Sequence, residues 1–213
     1  MTIRSELIKA TRSEGDGESQ IYFDEDLRFM TISGIINWKM ADMVFNTLTD
    51  FETKGKNPAK PVSVLINSEG GDILAGFKIY DHMRHYSTPY ITIAAGIGCS
   101  AGLIIYMAGD RRLMFPHAVL RFHEPWRQSE DKAYPRESEE ASRFHQLLFR
   151  QMIDVFLKRE VKMSKKQIKD YLLVSKRIDA GTAVKLRLAH RIIAPNPKAP
   201  LRFNDYQRKF KPR

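Results

Sequence analysis

Residues 66–102 read INSEGGDILAGFKIYDHMRHYSTPYITIAAGIGCSAG, and the order of apolar and glycine-rich segments in this stretch decides the fold. An apolar strand predicted at 61–66 runs into two adjacent glycines, and the segment after them repeats apolar residues at helical spacing. A second buried strand is predicted at 89–95. Strand and helix therefore alternate, which predicts an α/β fold of stacked βαβ units on a mainly parallel sheet.

The same alternation continues on both sides of this stretch. A predicted strand at 28–36 and an amphipathic helix precede it, and two short strands, RLMF and AVLRFH, follow it. Farther on, a long charged helix near 136–160 carries an apolar stripe, which on a projecting helix is typical of an oligomer contact. We predict two more helices, beginning near Ser164 and Asp179, before a final strand.

Charge is distributed unevenly along the chain. The 213 residues include 35 Lys and Arg against 25 Asp and Glu, a formal net charge of +10. Composition divides the chain into a flexible arm at 1–20, one folded domain at 21–195 and a basic tail at 196–213. A basic balance favours anionic partners, but no nucleic-acid-binding motif accompanies the tail. We therefore expect no nucleic-acid partner.

Cysteine content and hydropathy indicate the compartment. Cys99 is the only cysteine, which excludes an internal disulfide and a cysteine-rich metal site. The first residues interleave acids and bases and lack the apolar core of a signal peptide. The longest weakly polar stretch is too short and too rich in glycine to span a bilayer. We expect a cytoplasmic protein without a membrane partner.

Ser100 is the first candidate catalytic residue. Residues 98–102 read GCSAG and fit the pattern G-x-S-x-G, in which a serine occupies a sharp turn between a strand and a helix. The predicted strand before it and the apolar segment after it give the right context. Small residues at these positions would also let a helix pack closely, so a catalytic role and a packing role both stay open.

Two further groups complete a possible acyl-transfer site. Gly70 and Gly71 open a helix, where bare N–H groups can face a developing oxyanion, although a glycine turn capped by Asp72 is the simpler interpretation. A nucleophilic serine also needs a base. Of the six histidines, His82 and His85 lie on a helix that we expect to face the surface, whereas His123 closes a strand at the edge where a site of this architecture is expected.

These segments, in this order and spacing, resemble the Clp protease proteolytic subunit, ClpP. The family pattern runs I-N-S-P-G-G, then A-G-x-x-I-Y-D-x-M, then G-x-x-A-S-M-G-A, then a strand ending in I-H-Q-P. The counterparts here are INSEGG, AGFKIYDHM, GIGCSAG and FHEPW, within a similarity that extends over about 27–195. The resemblance implies a ClpP/crotonase-like fold and a serine peptidase that assembles into rings, stacked through a projecting handle helix.

The resemblance also implies a role for individual residues. The family's nucleophile, general base and two backbone donors of the oxyanion hole fall on Ser100, His123, Gly71 and Ala101. Ser175 stands where the family has its catalytic aspartate, and a serine can orient the imidazole but cannot stabilise its positive charge. Asp179 is an alternative third member, although its position predicts a helix cap. This chemistry needs neither a metal nor a cofactor.

Other family markers differ here. The glycine-rich strand that holds extended substrate in the family is replaced by WRQSEDKAYP at 126–135. The positions that line the family's docking cleft for its ATPase hold Ser63, Leu65 and His85. We expect a polypeptide substrate and a homo-oligomer. The sequence does not decide whether the further partner is an ATPase or another adaptor, and an ATPase could not use the standard cleft.

Two other functions fit parts of the pattern. A weakly active or inactive ClpP-like subunit with a scaffold role would explain the missing aspartate, but the retained serine and histidine oppose it. An α/β-hydrolase esterase with His190 as its base would explain G-x-S-x-G. That fold orders its triad as serine, acid, histidine, and it leaves His123 without a role.

Overall fold

The computed structural model describes residues 5–10, 19–53, 59–125 and 135–194. The basic tail predicted at 196–213 and the substituted segment at 126–134 lie outside the described residues. The described elements, in chain order, are β1 (Ser5–Ala10), β2 (Ser19–Asp24), β3 (Phe29–Ile36), α1 (Trp38–Thr53), β4 (Val62–Gly71), α2 (Ile73–His85), β5 (Tyr90–Cys99), α3 (Ala101–Met107), β6 (Arg111–Met114), β7 (Val119–Arg121), α4 (Pro135–Leu157), α5 (Lys165–Leu173), β8 (Arg177–Asp179), α6 (Ala180–Lys185) and β9 (Arg191–Ile192).

One sheet organises the molecule, with the strand order β1-β2-β3-β4-β5-β6-β9. Strands β3, β4, β5, β6 and β9 pair in parallel, whereas β1 pairs with β2 and β2 with β3 in antiparallel fashion. Helices α1, α2 and α3 follow β3, β4 and β5 along the chain. This alternation confirms the α/β class and the βαβ units that the sequence predicts.

The sheet branches at β5, and the branch positions the site. Residues 91–94 of β5 pair with β6, whereas residues 97–99 pair in parallel with β7. Strand β7 in turn pairs antiparallel with β8. The carboxyl end of β5 therefore meets the end of β7 and the start of β8 at one edge of the fold.

The N-terminal segment differs from the sequence-based expectation. Residues 5–10 form β1, whose register places Leu7 opposite Tyr22 and Ile8 opposite Ile21, rather than belonging to a flexible arm over 1–20. The two short strands lie on either side of the glycine-containing, polar stretch that suggested a flexible arm.

Helix packing buries the faces that the sequence indicates. The apolar repeat of α1 faces the core: Met40, Val44, Leu48 and Phe51 are buried, and Met43 is half-buried. Helix α3 is buried along its whole length, which identifies it as a core helix rather than a surface one. Cys99 and the start of α3 therefore lie inside the fold.

Arg112 ties the C-terminal elements to the sheet. Its guanidinium is buried and donates hydrogen bonds to the carbonyls of Gly109, Arg159, Arg187 and Leu188 at 2.8–3.2 Å. A buried charge is tolerated when each of its donors finds an acceptor. These bonds join the ends of α3, α4 and α6, and so fix the part of the chain that carries β8.

The projecting helix predicted near 136–160 is α4, Pro135–Leu157. Leu148 and Met152 of its apolar stripe are buried against the core, whereas Phe144 and Leu147 are 45% and 42% exposed. Among the described residues, no helix is long and apolar enough to cross a membrane.

Candidate active site

Ser100 occupies the turn that joins β5 to α3. It is the residue before the first helical residue, with φ 50° and ψ −119°, and only 8% of its surface is exposed. Its N–H donates to the carbonyl of Arg121 at 3.3 Å. A non-glycine residue in such a sparsely populated conformation costs about 1–3 kcal/mol and persists only where the surroundings impose it. The geometry is the sharp strand-to-helix turn that G-x-S-x-G predicts.

Small side chains enforce this turn. A Cβ placed on Gly70 would lie 2.7 Å from the Ser100 Cβ and 2.9 Å from the Cys99 carbonyl oxygen. A Cβ on Gly76 would lie 2.9 Å from that of Ala101. The small residues therefore allow close packing between α2 and α3 as well as the turn itself. The catalytic and packing interpretations of GCSAG are compatible.

The two glycines at the end of β4 lie directly against the serine turn. Gly70 has φ 104° and Gly71 has φ 143°, both in the region that L side chains rarely adopt. The Cβ position of Gly70 is 3.4 Å from the Ala101 nitrogen, so β4 ends beside the first N–H of α3. Asp72 caps α2, as the simpler interpretation holds, because its Oδ1 accepts from Leu74 and Ala75.

Two polar side chains hold these strand ends, and the sequence analysis did not single them out. The β3–β4 and β4–β5 pairings both shift register near Ser68. The Ser68 hydroxyl donates to the Gly34 carbonyl at 2.6 Å and accepts from the Gly70 N–H at 3.0 Å. The Asn67 Oδ1 accepts from the Ile97 N–H at 3.2 Å. Polar residues at the end of an apolar strand are the signal that could have indicated this role.

His123 lies two residues after the end of β7, the strand that pairs with the end of β5. Because Cys99 is paired with Arg121 and the Ser100 N–H donates to the Arg121 carbonyl, the chain that continues to His123 passes close to the Ser100 turn. Phe122 is fully buried and its ring stacks on Phe156 with centroids 4.8 Å apart, which anchors the backbone at this point. Within the described residues no hydrogen bond joins the serine hydroxyl to the imidazole, and free sites commonly close this distance when substrate binds.

The surroundings of His123 favour its neutral form. Burial lowers the pKa of the imidazole, the positive charge of Arg121 lowers it further, and Glu124 opposes the shift. At neutral pH the ring is therefore unprotonated and available to accept a proton. A histidine in this state is suited to act as a general base.

Ser175 lies across from His123. It ends α5 in a left-handed conformation, φ 51°, with its N–H donating to the Leu172 carbonyl at 3.2 Å. The β7–β8 register pairs residue 121 with residue 177, and the Phe122 N–H donates to the Lys176 carbonyl at 2.8 Å. One step farther along the same register is residue 175 opposite residue 123. The chain at Ser175, the position of the family's aspartate, therefore passes close to the chain at His123.

Asp179 has a different position and a different task. It is paired with Val119, four residues before His123. Its carboxylate caps α6, with Oδ1 accepting from the Thr182 N–H at 2.9 Å and Oδ2 from the Thr182 hydroxyl at 2.8 Å. These bonds lower the pKa of the carboxyl. The predicted cap is confirmed, and this geometry favours Ser175 over Asp179 as the neighbour of His123.

Two other histidines have structural roles. His82 was expected on the surface, and this expectation was wrong: its side chain is buried against Phe45 and Tyr86, with Nε2 3.5 Å from a Glu52 oxygen. Burial lowers the pKa of His82 to about 4. His190 Nδ1 accepts the Arg112 N–H at 2.9 Å, beside β9 on the other branch of the sheet. The esterase alternative therefore lacks its base.

A cavity of about 310 Å³ opens beside Glu124, the residue that follows His123, and lies between α4 and the end of α5. It has apolar and charged walls. Its lining consists of Glu124, His145, Gln146, Phe149, Arg150 and Leu173.

The fold and the site define a class. An α/β sheet with a serine on a strained turn, a histidine ending the neighbouring strand and paired glycines facing the serine belongs to the ClpP/crotonase-like class. The Clp protease family model matches residues 18–196, and the chain belongs to that family.

Named relatives agree with this assignment. An ATP-dependent Clp protease proteolytic subunit from Pleurastrum terricola is 36% identical over 100 residues, covering 46% of this chain and 50% of the relative. The proteolytic subunit 2 from Prochlorococcus marinus is 30% identical over 147 residues, covering 66% of this chain and 69% of the relative. The matches thus span between half and about two thirds of these relatives.

A solved structure shows the same fold. A mutant of ClpP1 from Listeria monocytogenes superposes with a TM-score of 0.69, over 80% of this chain and 94% of that chain, at 23% identity. At this identity the similarity concerns the fold alone. It confirms the ClpP-like architecture that the sequence motifs predict.

Replacing Gly70 by alanine should disrupt the serine turn. The new Cβ would overlap Ser100 and the Cys99 carbonyl at a backbone φ of 104°, so we expect the free energy of unfolding to fall by about 2 kcal/mol or more. Gly181→Ala, at an exposed position of α6 without a left-handed backbone, is the matched control and should change it little. Chemical denaturation measures both. Equal unfolding midpoints for the two variants would show that Gly70 does not constrain the turn.

The reactivity of Ser100 should persist below the ordinary titration range of histidine. If His123 is the base for Ser100, its lowered pKa keeps the imidazole neutral into acidic solution. The rate at which a fluorophosphonate labels Ser100 should then fall with a midpoint below pH 6.5, the usual pKa of histidine. Arg121→Gln removes a positive charge and should move that midpoint up, whereas Glu124→Gln should move it down. Arg191→Gln, on distant β9, should leave it unchanged. An unmoved midpoint in Arg121→Gln would contradict this assignment.

Proposed function

We propose that this chain is a Clp-type serine peptidase that hydrolyses peptide bonds through an acyl-enzyme on Ser100. The observation that carries the proposal is the strained turn at Ser100, held against Gly70 beside the end of β7 where His123 lies. A packing role alone would be met by alanine at position 100 and would not need a histidine next to it. Family membership supports the same conclusion.

The reaction follows from the positions of these groups. The Ser100 Oγ attacks the peptide carbonyl carbon while His123 takes its proton, and the carbonyl oxygen becomes an oxyanion held by the N–H groups of Gly71 and Ala101. His123 then gives the proton to the leaving amine as the C–N bond breaks. Water repeats the sequence on the ester, releasing the acid and restoring Ser100.

Ser175 is proposed to orient the imidazole. Its hydroxyl can accept the second N–H of His123 and so fix the tautomer that leaves the other nitrogen facing Ser100. A hydroxyl carries no charge, so it gives the imidazolium less stabilisation than an aspartate would. Loss of the acid in such a triad is typically worth about 10⁴-fold in rate. We therefore propose a slow peptidase.

The cavity beside His123 is proposed to take a side chain of the substrate. It adjoins Glu124, the residue after the base, and reaches Leu173 near Ser175. A concave site with apolar walls and a few polar groups is typical of ligand recognition. A peptide could then lie across the site with one side chain held between α4 and α5.

Assembly into a ring is proposed on the exposed part of α4. Phe144 and Leu147 present apolar side chains on a projecting helix, and burying them against another copy of the chain would be favourable. An ATPase partner remains a proposal taken from the relatives' names. Ser63, one of the expected cleft positions, is only 2% exposed, so it cannot contribute to a docking surface.

The alternative is a weakly active or inactive subunit with a scaffold role. The replacement of the acid by Ser175 favours it. The retained serine turn, with its backbone strain, opposes it, because an idle site would gain stability by relaxing.

Labelling with a fluorophosphonate tests the peptidase proposal. Intact mass should show one adduct per chain on the native protein, and none on Ser100→Ala, because the reagent reports an activated serine. His123→Ala should abolish labelling as well, whereas His190→Ala, which removes a structural histidine, is the control expected to retain it if folded. Absence of any adduct on folded, assembled native protein would favour the scaffold role.

A further inference from the structure

Two arginines face each other across the strands that carry the catalytic residues. The β5–β7 register pairs Cys99 with Arg121, and the β7–β8 register pairs Arg121 with Arg177. Residues directly opposite one another in a sheet have side chains on the same face. Arg121 and Arg177 therefore lie side by side on one face of the branch.

That face is also the face of the catalytic histidine. Side chains alternate along an extended chain, so residues two apart lie on the same side. His123 is two residues after Arg121. The charge of Arg121 acts on the imidazole of His123, and the charges of both arginines act on the thiol of Cys99 beside the nucleophile. The arginine pair is therefore within electrostatic reach of the reacting groups.

No carboxylate of the described residues neutralises the pair. Neither guanidinium forms an ion pair with a described carboxylate. The Arg121 side chain hydrogen-bonds the Cys99 thiol, and its Nε is buried without a hydrogen-bond partner. Asp179, two residues from Arg177, is engaged in capping α6. Glu69 also acts on the Cys99 thiol, but it is exposed and does not pair with either arginine. Like charges opposite each other destabilise a strand pair, so the fold itself gains nothing from them.

The arginines are accessible to a ligand. Arg177 is exposed, and Arg121 is half-buried with its Nε buried. A guanidinium presents a planar fork of donors that matches a carboxylate, and partial burial strengthens such a pair because water screens it less. Two guanidinium groups side by side form a binding site for a negatively charged group.

We infer that Arg121 and Arg177 form a subsite that binds a carboxylate of the peptide substrate, so that the site selects acidic segments. The inference rests on the proposed peptidase function, since it assumes that the peptide crosses this face beside His123. Two sources of the carboxylate share this chemistry: an aspartate or glutamate side chain, and the free C-terminus of the peptide.

Binding of matched peptides to the Ser100→Ala protein tests the inference without requiring turnover. Three dye-labelled decapeptides with amidated C-termini differ only in a central Glu, Gln or Lys, and a fourth carries Gln with a free C-terminal carboxylate. Fluorescence anisotropy should give the Glu peptide a Kd about tenfold lower than the Gln peptide. The Lys peptide should bind more weakly than either, and the Glu advantage should shrink as salt is added.

Variants then locate the effect. Adding Arg121→Gln or Arg177→Gln to the Ser100→Ala protein should remove most of the Glu advantage, whereas adding Arg191→Gln, an exposed arginine on β9, should leave it intact. An advantage of the fourth peptide over its amidated counterpart, lost in the same two variants, would assign the subsite to the terminal carboxylate.

The outcomes that overturn the inference are equally definite. If folded, assembled protein binds the four peptides equally, or binds none of them, no carboxylate subsite exists. A Glu advantage that survives both arginine variants would place it elsewhere. Fluorophosphonate labelling of Ser100 is read separately, so a labelled protein without carboxylate selection leaves the peptidase proposal standing and removes only this one.

Discussion

The close approach of β4 to the turn at Ser100 is the constraint on which the site depends. There is no room for a side chain at Gly70 beside Ser100 and the Cys99 carbonyl, so the end of β4 packs directly against the end of β5 and the serine turn. The Ser68 hydroxyl bonds to both Gly34 and Gly70, which prevents the glycine end from relaxing away. The strain at Ser100 is thereby maintained by packing that extends from β3 to α3.

The electrostatics of the proposed site differ from those of a triad with an acid. His123 has a positive neighbour in Arg121 and, in Ser175, an uncharged one, so the imidazolium formed during attack is poorly stabilised. A substrate carboxylate bound by the arginine pair would offset the charge of Arg121 and favour protonation of His123. The two proposals together describe a site in which an acidic substrate contributes part of the charge that the missing aspartate would supply.

The sequence was sufficient for the features that depend on local pattern. Alternating apolar segments predicted the βαβ units, and GCSAG predicted the turn at Ser100, because glycines and other small residues tolerate a tight strand-to-helix turn that larger side chains would obstruct. The predictions that failed depend on tertiary context. The strand at Ser5–Ala10 requires a partner strand, and the burial of His82 depends on how α1 packs beside α2. The bulges held by Asn67 and Ser68 likewise appear only when β3, β4 and β5 are paired.

The most direct test of whether the Ser175 hydroxyl orients the imidazole of His123 is the rate at which a p-nitrophenyl ester acylates Ser100. That rate is compared in the native protein, Ser175→Asp and Ser175→Ala. Aspartate tolerates the left-handed backbone at this position, φ 51°. We expect Ser175→Asp to acylate faster by about 10²-fold or more, and Ser175→Ala to acylate more slowly than the native protein. Equal rates in three equally folded proteins would contradict the account, because residue 175 would then have no part in the chemistry.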